Sequence, residues 1–184
     1  GFVHGLAVAG TLLAGGHYAT ALVVGAEIMT RVVDWGDRTT CVLFGDGAGA
    51  VVLARRPGAG GLLAFTLGTE YDFDVYPGVL ELLADLHASG TRLILGTAKP
   101  DVSAERILEH AAQHLGLPPG RLYNCVADFG NTSSASVPLA LDHAIRAGRV
   151  QPGDRLALVG FGGGLSWGGC LVEWTAETGV RRAA

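Results

Sequence analysis

A chain of 184 residues is long enough to bury one domain-sized core, and at 49% hydrophobic and 16% charged it is neither a disordered segment nor a solvated linker. A formal net charge of −4 offers no basic footprint for nucleic acid or an anionic membrane surface. Three widely spaced cysteines, Cys41, Cys125 and Cys170, make neither a metal knuckle nor a paired disulfide framework, which leaves reduced thiols in a cytoplasmic setting as the default.

Gly1 to Ala14 places Phe2, Leu6, Ala9 and Leu13 on one side and predicts a helix ended by Gly15-Gly16. It has no basic leader and is too short to span a bilayer; with no initiating Met, the chain is expected to be a piece of something longer. The unbroken apolar run Ala21 to Ala26 predicts a strand buried on both faces. Cys41 to Phe44 and Gly49 to Leu53 flank Gly45-Asp46-Gly47-Ala48, which reads as two strands joined by a tight glycine turn. Pro57 to Gly61 is a flexible connection, Leu80 to Ser89 an amphipathic helix, and Arg92 to Leu95 a buried strand.

Further on, Gly130-Asn131-Thr132-Ser133-Ser134 is a tight turn feeding a helix, with Thr132, Ser133 or Ser134 placed to cap it and Pro138 tolerable near its start. Leu156 to Val159 predicts a short buried strand, and Gly169 to Trp174 another after the Gly162-Gly163-Gly164 turn. Val180 to Ala184 reads as a frayed end.

Several of these stretches occur together in one family. Gly1-Phe2-Val3-His4-Gly5-Leu6, Asp34-Trp35-Gly36-Asp37-Arg38, the glycine pattern from Leu43 to Ala50, the Asn131 turn and Leu165-Ser166-Trp167-Gly168 resemble beta-ketoacyl-acyl carrier protein synthase III. The resemblance implies an α/β, thiolase-like architecture of layered mixed sheets and helices over 1–68 and 105–184, incomplete and interrupted by a central α/β insert at 69–104. The implied activity is acyl transfer of the fatty-acid or polyketide type. Acyl-CoA loads a cysteine, and malonyl-acyl carrier protein is then decarboxylated and condensed, with CoA thioester as substrate and no permanently bound cofactor. A homodimer, supported by the strand around Leu43 to Leu53, and docking of acyl carrier protein are implied in the same way.

By the same resemblance, Asn131 is one member of a Cys-His-Asn catalytic set. The cysteine position falls two residues before Gly1, and the histidine position is Asp101, a carboxylate that cannot donate to a developing enolate oxygen at neutral pH. His110 and His114 lie nearby but suit solvated or packing roles, so the chain alone is expected to be inactive in condensation. Phe161, Gly162 and Gly163 match the turn whose backbone N–H groups help form an oxyanion hole. Arg38 matches a contact for the adenine of CoA, with an ion pair to Asp34 or Asp37 as the alternative. Arg106 matches a carrier-protein docking residue, with an i,i+3 pairing to Glu109 as the alternative.

The central segment resembles a different family, the haloacid dehalogenase-like phosphatases, through Tyr76-Pro77-Gly78-Val79 and Thr97-Ala98-Lys99-Pro100. That likeness implies Asp72 as nucleophile, Asp74 as acid/base, Thr97 and Lys99 on the phosphoryl group, and a Mg2+ ion. The Gly-Thr that usually follows the acidic pair is absent, and Asp128 and Asp154 are isolated. A magnesium-dependent phosphohydrolase and a CoA-binding, non-catalytic module are therefore the alternatives to acyl transfer.

Overall fold

The computed structural model describes residues 1–58, 60–69, 121–162 and 166–176, the backbone of 92–95, and the isolated positions 88 and 113. The first helix, α1 (Phe2–Ala14), forms where its apolar spacing predicts and buries Phe2, Val3, Leu6, Ala7 and Leu13. It leads into β1 (Thr20–Ile28), which pairs antiparallel with β2 (Asp46–Ala54), Val23 lying opposite Val51 and Gly25 opposite Gly49.

Two expectations about this region are corrected. Gly45-Asp46-Gly47-Ala48 is not a turn between two strands; residues 46–48 open β2, and residues 41–43 are themselves turn. The glycines serve approach rather than bending. A Cβ on Gly47 would press on Leu139 and Thr132, and one on Gly49 would lie 2.7 Å from Pro138 Cβ, so the strand slides beneath the following helix only without side chains there. Nor is β1 buried on both faces. Its residues alternate, with Val23 in the core while Leu22 and Val24 are 65% and 53% exposed.

The second sheet has the order β3-β7-β6-β4-β5, from β3 (Gly61–Thr69), β4 (Arg92–Leu95), β5 (Leu122–Tyr123), β6 (Arg155–Phe161) and β7 (Ser166–Glu173). β7 runs antiparallel to both β3 and β6, whereas β4 runs parallel to β6 and β5. β4 falls inside the expected 69–104 insert, and its backbone is an internal strand of this sheet. Four successive buried residues, Leu156 to Val159, mark β6 as covered on both faces.

A one-turn helix, α2 (Val126–Phe129), precedes the Asn131 turn, and α3 (Ser136–Arg146) follows it. Val137, Ala140, Leu141 and Ala144 form the buried stripe of α3 at helical spacing. The helices α1 and α3 touch each other, and each reaches both sheets, so they form the layer between them. Their shared core includes Phe2, Leu6, Leu141, Leu156, Leu158 and Cys170.

Candidate active site

The Asn131 turn is fixed from several directions. Gly130 adopts φ +67°, a conformation that L side chains resist, and delivers Asn131 against the residues before β2. There the Asn131 N–H donates to Leu43 O at 2.8 Å, and the Gly45 N–H donates to Asn131 O at 3.0 Å. The Asn131 side chain is only 2% exposed, and its Oδ1 accepts the Ser133 N–H at 2.8 Å. That bond settles which end of the amide is oxygen, so Nδ2 is the donor end.

The hydroxyls of the turn do not cap α3 as the sequence suggests. Thr132 is fully buried; its N–H donates to Ser136 Oγ at 3.2 Å, and the two side-chain oxygens are 3.0 Å apart. Ser134 instead donates its hydroxyl to Glu27 Oε1 at 2.8 Å, across to β1. The Thr132 hydroxyl is engaged locally by Ser136 and the Ser134 hydroxyl by Glu27, and neither the short 3-10 turn (Ser133–Ala135) nor α3 has a side-chain cap.

Beside this turn lies a cavity of about 480 Å³. Ser133 and Ser134 line one side, Phe161, Gly162 and Ser166 another, and Gly1, His4 and Glu27 complete it. The two loops singled out in the sequence, around Asn131 and Phe161, thus meet at one space. Asn131 itself is buried behind Ser133. Burial pushes the His4 imidazole below its usual value, which keeps it neutral near pH 7.

The Gly162 N–H donates to Ser166 O at 2.9 Å, within the β6–β7 connection. Arg38 is exposed on the loop before β2 and does not line the cavity. Neither nearby carboxylate pairs with it. Asp34 Oδ1 accepts the Gly36 N–H, and Asp37 accepts the N–H and hydroxyl of Thr39 and the hydroxyl of Thr40, which hold its carboxyl below the usual range. Arg106, Gly163, Asp101, His110 and His114, and the phosphatase set Asp72, Asp74, Thr97 and Lys99, lie outside the described residues.

The three cysteines are buried, free thiols. Burial pushes Cys125 up to about 11, with Asp128 adding to it, and Cys170 up to about 12, so neither supplies a thiolate at neutral pH. The titratable residues His4 and Glu27 of the cavity wall were given no role in the sequence analysis. The signal for Glu27 was present as a single carboxylate in an otherwise apolar strand.

A helix layer between two sheets, with an asparagine turn and a strand end meeting at one cavity, defines an α/β protein of the thiolase-like class. Residues 1–70 match the family described as 3-Oxoacyl-[acyl-carrier-protein (ACP)] synthase III, and residues 100–174 match the C-terminal part of the same enzyme. Together these matches take in most of the chain, and the chain belongs to the synthase III family. It is similar to Beta-ketoacyl-[acyl-carrier-protein] synthase III of Caulobacter vibrioides, 39% identical over 208 residues covering 94% of this chain and 65% of the relative. The Rhizorhabdus wittichii synthase is 40% identical over 205 residues, covering 95% and 64%. The crystal structure of 3-oxoacyl-(acyl carrier protein) synthase III from Pseudomonas aeruginosa PAO1 superposes with a TM-score of 0.81 at 35% identity, covering 96% of this chain and 65% of that one. The Thermus thermophilus enzyme gives 0.78 at 33% identity, covering 95% and 65%.

The chain therefore spans a little under two thirds of the length of these relatives. The aligned stretches, 208 and 205 residues, are longer than the 184-residue chain, so each relative carries additional residues inside the matched region. Residues 71–99 fall between the two family matches. The phosphatase resemblance placed on that segment gains no support from these relatives, which are synthases on both sides of it.

Proposed function

We propose that this chain is the part of a beta-ketoacyl-acyl carrier protein synthase III that holds the asparagine turn beside the substrate cavity. The reaction it serves is condensation of acyl-CoA with malonyl-acyl carrier protein in fatty-acid synthesis. The observation that carries this reading is the meeting of the Asn131 turn and the Phe161 strand end at one cavity. Decarboxylation of a malonyl thioester puts negative charge on the thioester oxygen. The Nδ2 end of Asn131, held by the Ser133 bond, is the kind of preoriented donor that stabilises such charge.

In this reading a backbone N–H of Gly163 adds a second donor, Arg38 stacks on the adenine of CoA, and Arg106 docks the acidic carrier protein. The carboxylate at position 101 opposes the developing charge, so the 184-residue chain binds CoA but does not turn over. Two copies assembling through β2 follow from the same family analogy.

Titration calorimetry with CoA tests the reading. The chain is expected to give a saturable heat, and Arg38→Ala is expected to weaken binding about fivefold, the loss of a contact worth about 1 kcal/mol. No heat with either protein overturns it.

A further inference from the structure

We propose that Glu27 is a positioning residue for the Asn131 amide, acting through Ser134 and Ser133. The inference rests on the proposed role of Asn131 only for what that amide is used for; the coupling itself stands on geometry. Glu27 is the one carboxylate of β1, half-buried and facing the cavity. Its Oε1 accepts the Ser134 hydroxyl at 2.8 Å, a good hydrogen bond to a charged acceptor, and lies 3.4 Å from the Ser133 hydroxyl. No cation among the described residues pairs with it, so these hydroxyls are what the carboxylate meets there.

The segment it grips is under strain. Ser133 adopts φ +50°, and among the described residues it is the one non-glycine with positive φ. A serine persists in that conformation only where its surroundings hold it. Two attachments do so from opposite sides. The Ser133 N–H is held by Asn131 Oδ1, and the next residue, Ser134, is held by Glu27. Other ties of the turn, among them Asn131 to Leu43 and Gly45 and Thr132 to Ser136, run toward β2 and α3, while toward β1 the turn packs on Gly25 and bonds to Glu27. Releasing the Glu27 end lets Ser133 relax to negative φ. Its N–H then swings away from Oδ1, and the Asn131 amide loses one of the bonds that orient it, which shifts the environment of Nδ2.

The chain contains two asparagines, Asn124 and Asn131, which makes selective labelling informative. With 15N-asparagine in the full 184-residue chain, the side-chain NH2 signals of Asn131 are identified by their loss in Asn131→Asp. Glu27→Ala is expected to displace the Asn131 signals by more than a linewidth while those of Asn124 stay in place. Glu27→Gln, which keeps an acceptor oxygen at the same reach, is expected to restore them. Ser134→Ala removes the other end of the same bond and reads the same coupling if Glu27→Ala fails to fold.

Asn131 signals that stay put in a folded Glu27→Ala or Ser134→Ala variant overturn the proposal, as does a Glu27→Gln spectrum matching Glu27→Ala. The spectrum needs no ligand and no turnover. A chain that binds no CoA but shows this coupling therefore refutes the acyl-transfer reading alone, and the reverse pattern refutes the role of Glu27 alone.

Discussion

Gly25 of β1 and Ser134 of the Asn131 turn touch backbone to side-chain position: a Cβ built on Gly25 runs into the Ser134 carbonyl oxygen. The obstacle is main chain rather than the far end of a flexible side chain, so it yields only if the turn itself shifts. Gly25→Ala is expected to destabilise the fold by about 1–3 kcal/mol. The urea midpoint of the variant checks this. An unchanged midpoint means that the strand and the turn are not in register as described.

Gly162 gives the opposite outcome. Among the described residues a Cβ there would meet only Ser166 O, at 3.9 Å, and its φ is not in the left-handed region. Gly162→Ala is expected to leave stability unchanged or to raise it by about 0.5 kcal/mol, because the unfolded chain loses freedom and the folded one meets no clash. The same urea titration reads both variants. Together they separate a glycine demanded by packing from one that is not.

Position 101 carries the strongest expectation about activity. If Asn131 serves a developing enolate oxygen, a donor at 101 should help it and a carboxylate should hinder it. Asp101→His is expected to raise CO2 release from malonyl-acyl carrier protein on the order of tenfold or more over the unsubstituted chain. Adding Asn131→Asp should abolish that gain. Equal rates in all three proteins sink the shared role of the two positions.

The sequence carried α1, α3 and β6 well, because they announce themselves through local spacing of apolar residues, whereas β3 went unread. It misled at Gly45 to Ala48, where a glycine cluster has the same local signature whether the chain bends or lets a helix pack on it. Only the positions of Thr132, Pro138 and Leu139, some ninety residues away, decide between those uses. The two loops of the cavity were legible through family-specific strings. The grip of Glu27 on Ser134 was not, since it joins residues 107 apart and depends on how β1 meets the turn. The partner of the Gly162 N–H was not legible for a related reason: it depends on how the two strands pair, here through Ser166.

Between β5 and α3, the Tyr123 hydroxyl lies 2.8 Å from His143 Nδ1, and Phe129 meets the same ring edge-on at 5.6 Å. This cluster ties the last strand of the second sheet to the helix that carries the Asn131 turn. Tyr123→Phe removes the hydroxyl without changing the shape, and is expected to cost about 1 kcal/mol, the usual net value of one such bond. His143→Ala in the Tyr123→Phe background should then cost less than in the parent chain. Fully additive losses would mean that the two side chains are not coupled.

The buried thiols set how the chain responds to alkaline pH. Burial raises Cys125 from 9.0 to about 11 and Cys170 from 9.0 to about 12. Below pH 9 these groups are protonated in both folded and unfolded chains, so they add no pH dependence there. Above pH 9 the unfolded chain releases protons that the folded chain retains, and stability falls as pH rises through 11 and 12. Unfolding midpoints measured from pH 8 to pH 11 are expected to decline, and the double variant Cys125→Ala, Cys170→Ala should decline less steeply from its own starting value. At pH 8 the folded chain should label slowly at both positions with iodoacetamide, and all three cysteines should label quickly once it is unfolded. Rapid labelling of Cys170 in the folded chain would remove it from the core that β6, β7 and α1 enclose.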